Sequence, residues 1–267
     1  NRKQYWSHIR MIMNLQMIGM VALVRKETRR VLRIWVQTII PPGITMSLYF
    51  IIFGTLIGRR IGQMDGFQYM EYIAPGLIMM SVITNSYGNV VGSFFNAKIQ
   101  RHIEEMLVSP MSEISIVTGY LAGGIIRGIF VAAVVSLIAL FFTQLNIQHP
   151  VLAILVIVMT AGVFSLAGLL NAIFAKKFDD IAVIPSFVLA PLTYLGGVFY
   201  TITLLPDFWQ KVSYFNPILY MVNAMRFSVL GKSDIDIFTG ILVILAFFIM
   251  LLCTAIYLLK KGVGIRE

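Results

Sequence analysis

The sequence predicts an all-α, polytopic membrane protein, from its composition and from the length of its uncharged stretches. Hydrophobic residues make up 58% of the 267 positions, and only 12% are Asp, Glu, Lys or Arg, whereas soluble domains carry about 25% charged residues. Several stretches hold about 20 mainly apolar residues, the length that a helix needs to cross a bilayer. The single cysteine, Cys253, excludes a disulfide framework, and three scattered histidines supply no metal-ligand pattern.

Six stretches are long and apolar enough to be membrane-spanning helices. We predict spans at about 34–58, 71–97, 114–143, 151–175, 181–203 and 236–260. They belong to one transmembrane domain, 34–260, which follows a cytoplasmic segment, 1–33, and precedes a cytoplasmic tail, 261–267.

Two of these regions carry helix-breaking residues. Pro185, Pro191 and a Gly196-Gly197 pair interrupt the fifth span, so we expect a kinked helix that either borders a pathway or serves packing alone. The segment 204–231 has an uncharged core of about 14 residues, which is the length of an interfacial or re-entrant segment. We predict a re-entrant helix pair there, on the outer side, with its turn at Asn216-Pro217.

The lysines and arginines predict the orientation. With the N-terminus inside, fifteen of the 21 basic residues lie on the cytoplasmic side and five on the outer side, as the positive-inside rule favours. Both termini are then cytoplasmic. The net charge of +9 does not indicate a nucleic-acid partner, because the cations lie beside spans, where they meet anionic lipid head groups.

The residues before the first span predict an amphipathic helix. Met17, Met20, Val21 and Val24 recur at three- and four-residue steps, and a basic run follows as far as Arg33. Such a helix lies in the interface with its apolar face down. It is either a topology anchor or, in addition, an arm that contacts a cytoplasmic partner.

The loop between the second and third spans has a similar pattern. Its apolar residues share one helical face, namely Ile99, Ile103, Met106 and Leu107. Ser109-Pro110 ends this helix, since the residue before a proline avoids the α conformation. The loop is either a docking surface for a soluble motor or an ordinary solvated loop.

The sequence contains no phosphate-binding loop, serine elbow or zinc-protease motif, so we do not predict an enzyme. The interiors of the spans hold no acidic residue, which disfavours ion-coupled transport. Arg127 is the one charge inside a span. It pairs with a carbonyl or carboxylate, lines a polar cavity or snorkels, and we favour a structural or helix-partner role over substrate contact. The driving force is therefore expected from another subunit.

Several motifs, taken in order, carry a resemblance to a known family. They are ETRRVLRIWVQTIIPP at 27–42, YIAPGLIMM at 72–80, EEMLVSP at 104–110, AKKFDD at 175–180, PLTYLGGVFY at 191–200 and the Leu205-Pro206 and Asn216-Pro217 pairs. As a set they resemble the permease subunits of ABC-2-type exporters. The YadH-like bacterial inner-membrane permeases are the nearest group, and nodulation-type and glycan exporters are also similar.

The resemblance implies the ABC-2 exporter fold, with six spans, an N-terminal interfacial helix, a cytoplasmic coupling helix and an outer re-entrant helix pair before the last span. It also implies a homodimer in the bacterial inner membrane, joined by two copies of a separate cytoplasmic ATPase that binds ATP and Mg. This chain itself would hold no cofactor. The coupling helix would lie at 98–111 and would contact the ATPase through Arg101, Ile103, Glu104, Glu105 and Met106.

The resemblance also implies a translocation path formed by spans one, two and five, which works by alternating access or as a transient channel. The candidates to stack on a sugar or cover a lipid are Tyr49, Tyr87, Tyr194, Phe199 and Tyr200; aromatic packing is the alternative for each. The expected cargo is an amphipathic lipid, a glycolipid or oligosaccharide, or a hydrophobic drug. The rival function is a membrane scaffold that recruits an ATPase without moving cargo.

Overall fold

The computed structural model describes the backbone of residues 2–264 and the side chains of residues 15–264. The last three residues of the predicted tail therefore lie outside the described part. The described residues form twelve α-helices and one β-hairpin whose strands have two residues each. The strands are β1 Gln63–Met64 and β2 Phe67–Gln68. The helices are α1 Arg2–Arg33, α2 Trp35–Tyr49, α3 Gly58–Ile61, α4 Tyr69–Ile99, α5 His102–Val108, α6 Glu113–Phe142, α7 Pro150–Phe174, α8 Phe178–Ile184, α9 Ala190–Leu195, α10 Asp207–Tyr214, α11 Pro217–Leu230 and α12 Ile237–Lys261. The predicted all-α class is confirmed.

Among the described residues, five helical segments are long and apolar enough to cross a membrane: Trp35–Ile61, Glu113–Phe142, Pro150–Phe174, Phe178–Leu195 and Ile237–Lys261. They coincide with predicted spans one, three, four, five and six. The predicted second span falls on α4, whose 31 residues give a length of about 46 Å. This helix is less apolar because it carries several serines and asparagines, so the total of six spans stays a prediction.

Helix α4 lies at the centre of the bundle. Twenty of its 31 residues are buried, and it packs against α6, α7, α11 and α2. Small residues permit these close approaches. A Cβ added at Gly168 of α7, for example, would lie 2.6 Å from the carbonyl oxygen of Tyr87. Several polar residues of α4, namely Ser81, Ser86 and Asn89, are buried in these contacts.

Helix α1 packs lengthwise against α6. A Cβ at Gly119 would lie 2.5 Å from Leu23, and one at Gly123 would lie 2.8 Å from the Cβ of Glu27. Gly123 follows the first residue of α6 by ten positions, which is about 15 Å along the helix. The second half of α1 therefore contacts the bundle well inside its end, a contact that the interfacial pattern alone did not predict.

The fifth span is bent at the predicted place. A π-helical turn, Pro185–Leu189, separates α8 from α9. The helix ends at Leu195 instead of continuing to residue 203, because Gly197 adopts a φ of +72°, a left-handed conformation that an α-helix cannot continue through.

The segment that follows forms a helix pair, α10 and α11. The break between them lies at Asn216-Pro217, as predicted, and the Asn216 side chain accepts a hydrogen bond of 3.0 Å from the amide of Ile218, which caps α11. Eleven of the 14 residues of α11 are buried, against α4, α7, α9 and α12. This helix is therefore part of the bundle.

The bundle has two ends, the α5 end and the hairpin end. The α5 end carries α5 and the C-termini of α4, α7 and α12. The hairpin end carries the β-hairpin, the N-termini of those three helices, and the α10–α11 pair.

Candidate coupling surface and transport cavity

Helix α5 presents a charged surface at the end of α4. Arg101 forms the turn into α5 with a φ of 60°, a conformation that residues other than glycine seldom adopt. Of the residues predicted to contact an ATPase, Arg101, Glu104 and Glu105 are exposed and Met106 is half-buried. The three charged side chains are therefore available to a partner at the first turn of α5.

Ile103 and Val108 differ in exposure from what the sequence suggested. Ile103 is 0% exposed and belongs to the hydrophobic core. Val108, which was not among the predicted contact residues, is 89% exposed at the end of α5. Of the apolar face predicted for this loop, Ile103 is buried in the bundle and Met106 and Leu107 pack against it, whereas Ile99 is 50% exposed. We assign Ile103 to anchoring α5 and add Val108 to its exposed surface.

The segment 98–111, which carries α5, contacts α7 and α1. Lys98 Nζ donates hydrogen bonds of 2.7 Å to the carbonyl oxygens of both Ile173 and Ala175, and a lysine is well placed at such a helix C-terminus. Met111, which follows α5, lies against α1, since a Cβ at Gly19 would be 2.7 Å from Met111 Cγ. Three helices are therefore in contact with the segment that carries α5.

A polar groove of about 460 Å³ opens beside α5. Its lining comes from the ends of α4 and α7, from α5 and from the segment after α12: Phe95, Lys98, Ile99, Arg101, Glu104, Phe174, Ala175, Lys176 and Gly264. Charged groups of both signs line it, namely Lys98, Arg101, Glu104 and Lys176. Among the described residues, no group of three or more His, Cys, Asp or Glu side chains is placed to hold a metal ion.

An apolar cavity of about 170 Å³ lies between α4 and the bent fifth span. Its walls are Met80, Thr84, Tyr87, Gly88 and Val91 from α4, and Pro185, Leu189, Ala190, Thr193 and Tyr194 from the fifth span. The π-helical turn thus faces the cavity, and such turns are frequent at functional sites. The space beside Gly88 is open, since a Cβ there would meet no atom within 4 Å.

Four of the five predicted pathway aromatics meet at the hairpin end. The ring of Phe199 lies 5.7 Å from that of Tyr49 and 6.4 Å from that of Tyr194, measured between centroids. The Tyr200 hydroxyl donates a hydrogen bond of 2.9 Å to the carbonyl oxygen of Tyr194. Tyr194 also lines the apolar cavity, so the aromatic cluster lies next to that space.

Tyr87, the fifth of these aromatics, lies apart from the others. Its side chain is 2% exposed, and its hydroxyl accepts a hydrogen bond of 2.7 Å from Asn171 Nδ2. Asn171 also donates to the carbonyl oxygen of Ile181 at 3.2 Å. The hydroxyl of Tyr87 is thus engaged in joining α4, α7 and the fifth span, and only its ring is left to border the cavity.

Arg127 is half-buried and contacts the neighbouring helix. Its Nη2 donates a hydrogen bond of 3.3 Å to the side-chain oxygen of Asn85 on α4. The acceptor is the side-chain carbonyl oxygen of an amide, and a carbonyl oxygen is one of the partners that the sequence suggested. The contact joins α6 to α4, which fits a helix-partner role, although that role itself stays a prediction.

An ion pair on α1 is hydrogen-bonded to two polar residues of α4. We call Glu27, Arg30, Asn89 and Ser93 the α1–α4 cluster. Glu27 is 0% exposed and accepts hydrogen bonds from Arg30 Nε at 3.1 Å, Arg30 Nη2 at 2.9 Å and Ser93 Oγ at 2.9 Å. Arg30 also donates to the Asn89 side chain at 2.9 Å. From the sequence, Arg30 belongs to the basic run before the first span, and its pairing with Glu27 was not predicted, although their three-residue spacing permits a pair.

A second buried arginine lies at the hairpin end; Arg226, Tyr72, Gly197 and Asp234 form the Arg226 cluster. Arg226 is 1% exposed, with its guanidinium carbon 3.9 Å from the centre of the Tyr72 ring. Its Nη2 donates to the carbonyl oxygen of Gly197 at 2.6 Å, and its Nη1 lies 3.9 Å from the Asp234 carboxylate. Arg226 is one of the five basic residues that the charge pattern placed on the outer side, and the structure buries it within the bundle.

Known proteins match this chain over most of its length. The sequence profile of the ABC-2 type transporter family matches residues 19–230. The chain is 53% identical over 258 residues to the inner membrane transport permease YadH of Escherichia coli K12, which covers 96% of this chain and all of that relative. It is 23% identical over 212 residues to nodulation protein J of Rhizobium leguminosarum bv. viciae, with 78% of this chain and 82% of that relative covered. The chain therefore belongs to the ABC-2 type transporter family.

Proposed function

We propose that this chain is the transmembrane permease subunit of an ATP-driven exporter in the bacterial inner membrane. Membership of the ABC-2 family and similarity to an inner membrane transport permease support a transport permease. In the finer proposal, two copies of the chain form the translocation path. Two copies of a separate cytoplasmic ATPase bind ATP and Mg, dock on α5 and supply the energy.

The observation that carries the proposal is the layout of α4. Helix α4 runs from the apolar cavity to the turn at Gln100 and Arg101 that leads into α5. Val91 in the cavity wall and Ile99 at the end of α4 are eight positions apart, about 12 Å along the helix. A displacement of α5 therefore reaches the cavity wall through a short, rigid connection. To transmit energy, the docked ATPase must favour one position of α5 over another.

The cavity indicates the chemistry of the cargo. Its wall is formed mainly by aliphatic and aromatic side chains, and Thr84 and Thr193 add two hydroxyl groups. Binding sites of this kind hold apolar groups and orient them through few polar contacts. The cargo therefore binds through an apolar portion, as an amphipathic lipid, a glycolipid or a hydrophobic drug would.

Removing the acidic charges of α5 tests the docking surface. We expect Glu104→Gln with Glu105→Gln to lower the amount of co-purified ATPase about fivefold, which corresponds to about 1 kcal/mol of lost interaction. The matched control is Asp65→Asn with Asp207→Asn, two exposed acids at the hairpin end. Equal recovery of ATPase with both double variants contradicts the assignment of α5.

Filling the cavity tests the path. Gly88→Leu places a side chain in open space that borders the cavity, whereas Gly92→Leu, one helical turn along, enters open space outside it. In vesicles that contain the permease and its ATPase, we expect only Gly88→Leu to block ATP-dependent movement of a panel of fluorescent phospholipids and hydrophobic dyes. ATPase stimulation by the unmodified permease with no movement of any probe supports the scaffold function instead.

Cysteine labelling tests the orientation. Gln63 is exposed in the β-hairpin, so Gln63→Cys in a Cys253→Ala background provides one reactive thiol at the hairpin end. We expect a membrane-impermeant maleimide to label it in intact spheroplasts. Labelling only after permeabilisation would place the β-hairpin on the cytoplasmic side and contradict the proposed topology.

A further inference from the structure

The side of α4 that borders the apolar cavity continues into a polar wall. Thr84 and Gly88, one helical turn apart, are exposed at the edge of the cavity. With about 3.6 residues per turn, Asn85 and Asn89 come next around the helix, on the side away from Tyr87. The two asparagines belong to the same turns of α4 as the cavity wall, so the cavity and the polar wall lie at the same depth in the bundle.

Each of the two asparagines holds an arginine from a neighbouring helix. Arg127 of α6 donates a hydrogen bond of 3.3 Å from Nη2 to Asn85 Oδ1. Arg30 of α1 donates one of 2.9 Å from Nη2 to Asn89 Oδ1. Since Asn85 and Asn89 are four positions apart, about 6 Å along α4, the two guanidinium groups lie in adjacent turns beside the edge of the cavity.

Arg127 has no anionic partner in the described part of the chain. Within residues 15–264, no carboxylate lies within 4.0 Å of its guanidinium. The carboxylate of Glu27 lies near Gly123, one turn away on α6, but it is engaged by Arg30. The predicted spans hold no acidic residue in their interiors, so a second copy of the chain would supply none at this depth. The charge of Arg127 is therefore left to an anion from outside the protein.

The polar wall also has more donors than acceptors. A guanidinium carries five N–H groups, and Arg127 Nε is enclosed without an acceptor among the described residues, as is Asn89 Nδ2. Arg127 is the fifteenth of the 30 residues of α6, more than about 20 Å from either end of the helix, so it is far from the lipid head groups. A charged residue at such a depth is typical of a substrate path.

We propose that Arg127 binds an oxyanion of the cargo, a phosphate or a carboxylate, while an apolar portion of the same molecule occupies the cavity. The N–H groups of an arginine match the oxygen atoms of either group. The bond to Asn85 uses one of these N–H groups, so Arg127 joins α6 to α4 and binds the anion at the same time. The inference rests on the proposed function, because it narrows an amphipathic cargo to an anionic one.

Photocrosslinking with two probes that differ only in their head group tests the site. A dodecyl phosphate and a dodecyl glucoside each carry a diazirine in the alkyl chain, and the purified permease is irradiated with either probe in phosphatidylcholine bilayers. We expect the phosphate probe to label the cavity segments 80–91 and 185–194 about tenfold more than the glucoside probe. Unlabelled dodecyl phosphate should compete, whereas inorganic phosphate at the same concentration should not, because it has no apolar portion.

Two variants remove the preference in opposite ways. Arg127→Gln removes the cation. Asn85→Asp keeps the cation but places a carboxylate where Arg127 now has an amide oxygen, so an internal anion takes the place of the ligand. We expect the two probes to label each variant equally. The matched controls are Arg60→Gln and Gln63→Glu, which make the same kinds of change at exposed positions of the hairpin end and should retain the tenfold preference. Elution as a single species in size-exclusion chromatography checks the fold of each variant.

Three results overturn the inference. The first is labelling of the cavity by both probes without a preference, which leaves the cavity as the path of the proposed function. The second is a preference that survives both Arg127→Gln and Asn85→Asp. The third is equal competition by inorganic phosphate, which makes the site one for a free anion. Labelling of the cavity by neither probe contradicts the proposed path as well as this inference.

Discussion

The α1–α4 cluster and the Arg226 cluster both hold an arginine among apolar helices, but they neutralise its charge in different ways. Arg30 lies 2.9 Å from the carboxylate of Glu27. Arg226 lies 3.9 Å from that of Asp234 and makes its closest contacts with a carbonyl oxygen and an aromatic ring. One cluster is a hydrogen-bonded ion pair, whereas the other surrounds a cation mainly with dipoles.

The two clusters also differ in which member is buried. In the α1–α4 cluster the anion is enclosed, since the side chain of Glu27 is 0% exposed and that of Arg30 is 24% exposed. In the Arg226 cluster the cation is enclosed, at 1%, and Asp234 is 14% exposed. Since a charge left alone in the interior is costly, the damaging substitution in the α1–α4 cluster is the one that removes Arg30, the charged partner of the enclosed Glu27. Arg226 keeps a carbonyl oxygen and an aromatic ring when Asp234 is changed.

The largest effect is therefore expected from Arg30→Met. It leaves the carboxylate of Glu27 enclosed, with the Ser93 hydroxyl as its remaining donor in the cluster, and such changes cost about 3–5 kcal/mol. We expect the lowest apparent Tm of all variants considered, measured as the loss of monodisperse protein after heating in detergent.

The control for Arg30→Met is the double variant Glu27→Met/Arg30→Met. An apolar pair of similar volume often replaces a buried ion pair with little loss of stability. The double variant should therefore recover most of the Tm that the single variant loses. If it is as unstable as the single variant, the enclosed carboxylate is not the cause.

The next largest effect tests how closely α1 must approach α6. In Gly123→Ala the new Cβ would lie 2.8 Å from the Cβ of Glu27, so α1 must shift away, at a cost of about 1–3 kcal/mol. Gly92→Ala on α4 is the matched control, because a Cβ there meets no atom within 4 Å. It should raise stability by about 0.5–1 kcal/mol, since alanine favours a helix over glycine. Changes of equal sign in thermal stability contradict the close contact.

The sequence predicted those features of the fold that depend on neighbouring residues. The uncharged stretches predicted the apolar spans, Pro185 predicted the bend of the fifth helix, and Ser109-Pro110 predicted the end of α5. Each of these signals acts within a few residues, through hydrophobic length or through the restriction that proline places on the backbone. The family resemblance was also carried by local signals, because it rested on short motifs in a fixed order.

The buried polar clusters could not be predicted in this way, because their partners are distant in the chain. Glu27 and Ser93 are 66 positions apart, and Arg226 and Gly197 are 29 positions apart. Ile103 shows a second limit. An amphipathic pattern identifies an apolar face, but such a residue can pack on its own bundle or on a partner, and the structure shows that Ile103 packs on the bundle.

The smallest effect is expected from Asp234→Asn, and it distinguishes the two clusters most sharply. Arg226 loses a carboxylate that is 3.9 Å away but keeps the hydrogen bond to Gly197 and the contact with the Tyr72 ring. The asparagine oxygen can still accept the hydrogen bond of 3.4 Å from the amide of Ile202. We therefore expect a loss of about 1 kcal/mol, measured by the same heating assay. A loss as large as that of Arg30→Met would mean that the carboxylate, and not the carbonyl and the ring, stabilises Arg226, and the two clusters would then share one mechanism.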